Sequence, residues 1–191
     1  MRTFIAVPIA PQVRSRINRY LTRHITDLKR VKWVRPEDFH LTLKFLGEVP
    51  VGDICDTIVA VRKACAQIEP FDLVFNGLGG FPDAARPHTL WVGVTEGIEE
   101  SAELAEAIDS ELFRIGFPRE GRRFTPHLTI GRVKKGAVPE TGGIDSFILP
   151  EKETPFFGMS AVDSVAIFSS ELTRGGPKYE VLEEVPLKTG G

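Results

Sequence analysis

The sequence has few cysteines and no long apolar segment. Its two cysteines, Cys55 and Cys65, fall within one predicted helix, where ten residues span about 15 Å. A disulfide needs Cα atoms within about 7 Å of each other, so we predict two reduced thiols in the core. No run reaches the roughly 18 apolar residues of a membrane helix, and the short apolar start is broken by Pro8. We therefore predict a first strand there, no membrane partner and a cytoplasmic location.

The sequence also lacks a strong excess of charge of either sign. It has 24 basic and 26 acidic residues, which give a formal net charge of −2. Proteins that coat nucleic acid without sequence preference need a basic excess, so this class is excluded. A protein that binds one phosphate locally is compatible with this balance. Basic residues are concentrated at 29–35 and 119–135, a pattern typical of solvated surfaces, but both segments flank the motifs described below.

Secondary-structure patterns indicate an α+β fold. Apolar residues recur every three or four positions from Val13 to Leu28, from Ile54 to Ile68 and from Ala102 to Ile115, as in helices that bury one side. Seven further runs have the composition of strands: 3–9, 40–46, 71–75, 89–94, 127–133, 164–168 and 179–185. Helices and strands without regular alternation indicate helices covering one face of antiparallel sheets. Since no linker-like segment divides the chain, we predict one domain over residues 1–188, with a C-terminal tail at 189–191.

One short pattern, His-Leu-Thr followed by an apolar residue, occurs twice, at 40–43 and at 127–130. Side chains two positions apart in a strand share a face, so His40 and Thr42 point to one side, as His127 and Thr129 do. A single copy is more typical of a half-buried structural histidine. Two copies arise by chance roughly one time in a thousand. The repetition favours a pseudo-two-fold cleft lined by two imidazoles and two hydroxyls.

Two histidines and two threonines have the chemistry of an in-line displacement at phosphorus. Histidine titrates near pH 6.5, so one imidazole can be neutral while the other is protonated. One then accepts a proton from the attacking water and the other donates a proton to the leaving oxygen. Threonine hydroxyls can donate to the non-bridging oxygens, where negative charge collects. Because the motifs lack thiolate and carboxylate ligands, we expect no metal and no cofactor.

Longer blocks of the sequence resemble the 2H phosphoesterases, and among them the RNA 2′,3′-cyclic phosphodiesterases, also known as 2′-5′ RNA ligases. The resemblance covers most of the chain, and its blocks are Thr3–Val7, Trp33–Val49, Arg86–Pro87 with Leu90–Val94, Phe124–Arg132, and Ser170–Leu172 with Gly176–Pro177 and Tyr179. It implies a bilobal α+β fold with two antiparallel sheets around a central cleft and helices on the outer faces. It also implies metal-independent hydrolysis of RNA 2′,3′-cyclic phosphate ends to 2′-phosphates, with possible reverse 2′-5′ ligation. We expect the protein to act as a monomer.

The resemblance also implies roles for individual residues. His40 is similar to the family's proton donor to O3′, His127 to the base that activates water, and Arg132 to an arginine that contacts the phosphate. Strict strand alternation places Arg132 on the face opposite His127, so a bulge or a strand end near Gly131 is needed to re-aim it. The same alternation places Lys44 on the His40 face, as a candidate phosphate-binding residue, and Phe45 in the core.

Other functions remain open from the sequence. The same cleft could act on another cyclic phosphate, such as ADP-ribose cyclic phosphate, or on a 2′-5′ linkage. Alternatively, the protein could be a nucleotide- or RNA-binding module that retains the motifs without turnover. The family often has a helix after the second motif, whereas the segment 136–159 is rich in Gly and Pro. This departure concerns recognition of the substrate end rather than the chemistry.

Overall fold

A computed structural model describes residues 1–24, 31–83, 87–134, 154–173 and 176–188. Some of the predictions lie outside these ranges. They concern the last turn of the first predicted helix (Ile25 and Leu28), most of the Gly- and Pro-rich segment (136–153) and the C-terminal tail (189–191).

The three predicted helices are confirmed within the described residues. They are α1 (Pro11–His24), α2 (Ile54–Cys65) and α3 (Ile98–Arg114), and each buries one apolar stripe, for example Leu104, Ile108 and Leu112 in α3. Short 3₁₀ turns at Pro36–Asp38 and Val51–Asp53 precede the first motif and α2. No helix of the described part of the chain is both long and apolar enough to cross a membrane.

The prediction of two core thiols is correct for one cysteine and wrong for the other. Both thiols are free, but Cys65 is buried whereas Cys55 is exposed. Ten residues is nearly three turns of helix, and the remaining rotation carries the two side chains to different sides of α2. Burial raises the pKa of the Cys65 thiol to about 12, which keeps it protonated and unreactive at neutral pH.

Within the described residues nine strands form the sheet, and all seven predicted strands are among them. In chain order they are β1 (Arg2–Pro8), β2 (Val31–Trp33), β3 (His40–Glu48), β4 (Phe71–Phe81), β5 (Thr89–Glu96), β6 (His127–Val133), β7 (Phe156–Val162), β8 (Ser164–Thr173) and β9 (Gly176–Pro186). The strands β2 and β7 were not predicted from the sequence. The first has only three residues, and the second is interrupted by Gly158, whose φ of 112° disfavours other residue types.

The strands pair in the order β7-β4-β5-β6-β3-β1-β8-β9, and β2 pairs with β6. All of these pairs are antiparallel. The α+β class with antiparallel sheets is thus confirmed, with one difference: the two expected sheets are joined at their motif strands, β3 and β6, into one sheet. Without the other, each motif strand would have unpaired backbone N–H and C=O groups along one edge. Pairing of β3 with β6 gives some of these groups hydrogen-bond partners.

The core lies against the face of the sheet that we call the back face. Leu41 and Leu43 of β3, and Leu128 and Ile130 of β6, are buried there, and burial of each such side chain contributes about 1.5–3 kcal/mol. The helix α3 packs near β3, and α1 packs near β7. The opposite face, which we call the front face, carries the motif histidines and threonines, all of which are partly exposed.

Candidate active site

The two motifs meet at the middle of the sheet. Leu41 of β3 is the direct partner of Leu128 of β6, and both side chains are fully buried on the back face. Because neighbours along a strand point to opposite sides, the residues that flank these leucines point to the front face. The structure therefore brings His40, Thr42, His127 and Thr129 onto one surface, as the repeat predicts.

The same pairing determines how these four side chains are arranged. Extending the antiparallel register by one residue in each direction places His40 opposite Thr129 and Thr42 opposite His127. The two histidines are then diagonal neighbours, with Cα atoms roughly 7–8 Å apart. Long side chains at such a diagonal are within reach of each other, so both imidazoles and both hydroxyls can face one phosphate group.

Equivalent hydrogen bonds orient the two imidazoles. His40 Nδ1 lies 2.7 Å from the carbonyl oxygen of Asp38, and His127 Nδ1 lies 2.7 Å from the carbonyl oxygen of Thr125. A carbonyl oxygen can only accept, so each Nδ1 carries a proton and donates it. Each Nε2 is therefore the atom that gains or loses a proton, and no hydrogen bond to it is present among the described residues.

Aromatic rings lie beside both imidazoles. The His40 ring lies 4.9 Å from Phe4, 5.9 Å from Phe168 and 5.5 Å from Tyr179, measured between ring centroids. The His127 ring lies 4.9 Å from Phe81, in an edge-on arrangement. This shielding from water disfavours the protonated form of each imidazole. From the sequence, Tyr179 was named only in the last block of the family resemblance, since its place beside His40 depends on strand pairing.

The environment lowers the pKa of both histidines below 6.5. Burial is the largest cause for His40; the hydrogen bond to the Asp38 carbonyl and the Asp38 carboxylate oppose it, and the charge of Arg132 adds to it. Burial is also the largest cause for His127, where the hydrogen bond to Thr125 opposes it and Arg132 again adds to it. The positive charge of Arg132 therefore acts on both imidazoles, and such a charge favours a phosphate anion in the same site.

A bulge re-aims Arg132, as its expected role requires. In the pairing of β5 with β6, Leu90 faces Gly131 whereas Trp91 faces Thr129, so Ile130 is skipped. The extra residue reverses the alternation, and Arg132 turns towards the front face while Ile130 and Gly131 are both buried. Arg132 Nη1 lies 3.5 Å from Thr89 Oγ1, which leaves most of the guanidinium available to an anion.

The expectation for Lys44 is wrong. A second bulge, at Leu43 between the pairs Ala6–Thr42 and Ile5–Lys44, turns Lys44 to the back face. There Lys44 Nζ forms a buried ion pair with Asp109, which removes it as a candidate phosphate ligand. The same bulge turns Phe45 out of the core and onto the front face, where 66% of it is exposed and its ring lies 5.9 Å from Phe4.

The arrangement has the groups for proton transfer at a phosphate: two Nε2 atoms, two hydroxyls and one guanidinium. No group of three or more His, Cys, Asp or Glu side chains placed to hold a metal ion is found within residues 1–24, 31–83, 87–134, 154–173 and 176–188.

Comparisons with known proteins agree with the geometry. The sequence profile of the family described as LigT like Phosphoesterase matches residues 7–91 and again residues 92–179, so each match contains one motif. The chain is 36% identical over 160 residues to an RNA 2′,3′-cyclic phosphodiesterase of Aquifex aeolicus, with 83% of both chains covered. It is 33% identical over 190 residues to an RNA 2′,3′-cyclic phosphodiesterase of Thermotoga maritima, with 100% of this chain and 97% of the relative covered.

A solved structure has the same fold. The crystal structure of the protein TT0787 of Thermus thermophilus superposes with a TM-score of 0.79 at 28% identity, over 98% of each chain. The family profile matches both halves of the chain, and relatives more than 30% identical cover most of it. These matches show to which family the chain belongs. The protein belongs to the LigT-like phosphoesterase family of the 2H superfamily.

Proposed function

We propose that this protein hydrolyses the 2′,3′-cyclic phosphate end of an RNA or nucleotide to a 2′-phosphate, without a metal ion. The observation that carries the proposal is the orientation of the two imidazoles, whose Nδ1 atoms are occupied by backbone carbonyls and whose Nε2 atoms are left for proton transfer. The curated relatives at 33–36% identity are named RNA 2′,3′-cyclic phosphodiesterases, which supports the choice of substrate.

In this mechanism each histidine moves one proton. His127 Nε2 accepts a proton from a water molecule as the water oxygen bonds to phosphorus. The bond between phosphorus and O3′ breaks, and His40 Nε2 donates its proton to O3′. The product carries a 2′-phosphate and a 3′-hydroxyl, while His127 ends protonated and His40 neutral. Proton exchange with solvent restores the starting protonation states of both histidines before the next turnover.

The direction of proton transfer follows the family resemblance and has support from the electrostatics. The carboxylate of Asp38 favours the protonated form of His40, and Arg35 Nε holds that carboxylate at 2.8 Å. Among the described groups that shift the pKa of His127, none is acidic. In this proposal His40 carries the proton before the reaction, and His127 is neutral.

The remaining polar groups would stabilise charge on the phosphate. In this proposal Thr42 and Thr129 donate their hydroxyl protons to the non-bridging oxygens from opposite sides. Arg132 adds a positive charge that its bulge brings to the front face. The negative charge of a bound phosphate also favours protonation of His40.

The decisive experiment is product analysis on a short RNA that ends in a 2′,3′-cyclic phosphate, incubated with the protein in EDTA. We expect conversion to the 2′-phosphate, separated from the 3′-phosphate by chromatography against standards of both. The matched control is the protein with both His40→Ala and His127→Ala. A product that depends on added metal, or full activity in the control, would overturn the proposal.

The same assay separates the alternative functions. Faster hydrolysis of ADP-ribose cyclic phosphate or of a 2′-5′ dinucleotide than of the RNA end would reassign the substrate of the cleft. Saturable binding of the RNA end without hydrolysis would indicate a binding module. The boundary of the domain, the monomeric state and the cytoplasmic location stay predictions from the sequence.

A further inference from the structure

A buried ion pair lies on the back face, directly behind the cleft. Lys44 and Asp109 each have about 6% of their surface exposed, and they connect β3 to α3 across 65 positions of sequence. Burying two charges is costly unless both are fully hydrogen-bonded. Each has additional partners here, and these partners lie in the segment that leads to the second motif.

The segment between α3 and β6 is anchored by this pair. Lys44 Nζ donates to the carbonyl oxygen of Pro118 at 2.9 Å. The backbone N–H of Glu120 donates to Asp109 Oδ1 at 3.1 Å, and Arg119 Nη1 donates to Asp109 Oδ2 at 3.0 Å. Residues 117–126 form neither helix nor strand. Some of their backbone groups are therefore hydrogen-bonded by these side chains instead of by a neighbouring strand.

The anchored segment ends at the residues that hold His127. Thr125, five residues after Glu120, supplies the carbonyl oxygen that accepts the hydrogen bond from His127 Nδ1. At the other end of the network, Lys44 follows the bulge in the strand that carries His40. A set of contacts therefore runs from one motif strand, through Asp109, to residues 118–120, which precede the Thr125 carbonyl that orients the other imidazole.

We propose that Asp109 is a positioning residue. Through its contacts with Lys44 and residues 118–120, it fixes the position of the strand that carries His40 relative to the Thr125 carbonyl that orients His127. This inference rests on the proposed two-histidine mechanism, which needs both Nε2 atoms aligned on one phosphorus. Asp109 touches neither imidazole and lies on the opposite face of the sheet, so it acts only through the backbone that it holds.

The protonation state of Asp109 is consistent with this role. Burial raises the pKa of its carboxyl, but hydrogen bonds from Lys44, Arg119 and the Glu120 amide outweigh burial and bring the pKa below 3.8. The carboxylate is therefore ionised throughout the neutral range. The contacts are expected to weaken only as the pH falls through that lowered pKa.

The test must separate positioning from simple stability. Asp109→Asn removes the charge at constant shape, and we expect kcat to fall by about 100-fold with a small change in KM, since a misplacement of about 1 Å costs that much. The double variant Lys44→Met/Asp109→Leu replaces the ion pair by apolar side chains, which often restores stability. We expect its Tm to return towards that of the wild type while kcat stays low, because the contacts to residues 118–120 are still missing.

A spectroscopic readout is independent of turnover. The ¹⁵N chemical shifts of His127 in the wild type are expected to show a protonated Nδ1, and Asp109→Asn is expected to give a mixture of tautomers. Arg119→Gln, at a side chain 46% exposed, is a milder variant for the case in which Asp109 variants do not fold; we expect kcat to fall at unchanged Tm. Arg62→Met removes a comparable contact from α2 to β9, and we expect no effect on kcat or on the His127 shifts.

Two results would overturn the proposal. One is a Lys44→Met/Asp109→Leu variant that recovers kcat together with Tm, which would make Asp109 purely structural. The other is wild-type kcat and unchanged His127 shifts in Asp109→Asn or Arg119→Gln. If the wild type itself hydrolyses no cyclic phosphate, the proposed function fails, but the His127 shifts still report whether Asp109 orients that ring.

Discussion

Leu43 and Ile130 are equivalent residues in the two halves of the sheet: each is skipped in strand pairing, three positions after the histidine of its motif. Each bulge reverses the alternation of its strand at the same point. The next residue, Lys44 or Gly131, turns inwards, and the one after it, Phe45 or Arg132, turns to the front face. The pseudo-two-fold symmetry therefore includes the β-bulge that follows each four-residue motif, and not only the motifs themselves.

This equivalence has a chemical consequence. At the same position of the two halves, one motif presents an exposed aromatic ring and the other presents a guanidinium. The histidines and threonines are repeated, whereas these two side chains differ in charge and polarity. The cleft is thus symmetric in its proton-transfer groups and asymmetric in the groups beside them, as a site for an asymmetric substrate requires.

The first prediction concerns the two histidines. His40→Ala and His127→Ala should each reduce kcat on a 2′,3′-cyclic nucleotide by about 10²–10⁴-fold, the usual contribution of a general acid or base. Because both side chains are only partly buried, Tm should change little. His88→Ala is the control, since His88 is exposed and should retain full activity. Activity near wild type in either motif variant would refute the assignment.

The second prediction concerns pH. Both imidazoles have a pKa below 6.5 in the free protein. The base becomes available above the lowered pKa of His127, and the acid is lost above the lowered pKa of His40. The bell-shaped pH profile of kcat/KM should therefore centre below about pH 6.5. A bound phosphate anion raises the pKa of both histidines, so the pH profile of kcat should lie at higher pH than that of kcat/KM. Steady-state rates from pH 4.5 to 8.5 measure both profiles, and coincident profiles would contradict this prediction.

The third prediction concerns Arg132. Arg132→Gln should lower kcat/KM by roughly 10- to 100-fold, as expected when a charged hydrogen bond of about 1.5–3 kcal/mol is lost. It should also move the kcat/KM profile to higher pH, because Arg132 lowers the pKa of both histidines. Arg132→Lys keeps the charge but not the planar fork; it should lower activity and leave the pH profile in place. A Gln variant with the wild-type pH profile would place Arg132 away from the imidazoles.

The fourth prediction tests the bulge at Ile130 through stability. A Cβ added at Gly131 would lie 2.7 Å from Val31 Cγ1 and 3.1 Å from the Trp33 ring, because the bulge turns this position against β2. Gly131→Ala should therefore lower the free energy of unfolding by about 1–3 kcal/mol. Gly121→Ala is the matched control, since its added Cβ has no heavy atom within 4 Å in the described part of the chain, its sequence neighbours aside. Urea denaturation of both variants measures the difference, and equal stability would argue against the bulge.

The sequence alone was sufficient for the helices, most strands and the four motif residues. Each of these depends on a local pattern: a period of three to four residues for α1 to α3, and a period of two around His40 and His127. The need for a bulge near Gly131 could also be deduced, because Arg132 otherwise points away from His127. No comparable signal marked Leu43, and strict alternation therefore placed both Lys44 and Phe45 on the wrong faces.

Tertiary structure decided what those local patterns leave open. Whether a residue is skipped in a strand depends on the neighbouring strand, β1 for Leu43 and β5 for Ile130, and strand neighbours are set by packing rather than by local sequence. The partner of Lys44 lies 65 positions away, and Tyr179 reaches His40 from the far end of the chain. A sequence with period two specifies which side chains share a face, since that follows from backbone geometry. It does not specify where the period is broken, or which distant side chains then share a buried space, because those are properties of the assembled sheet.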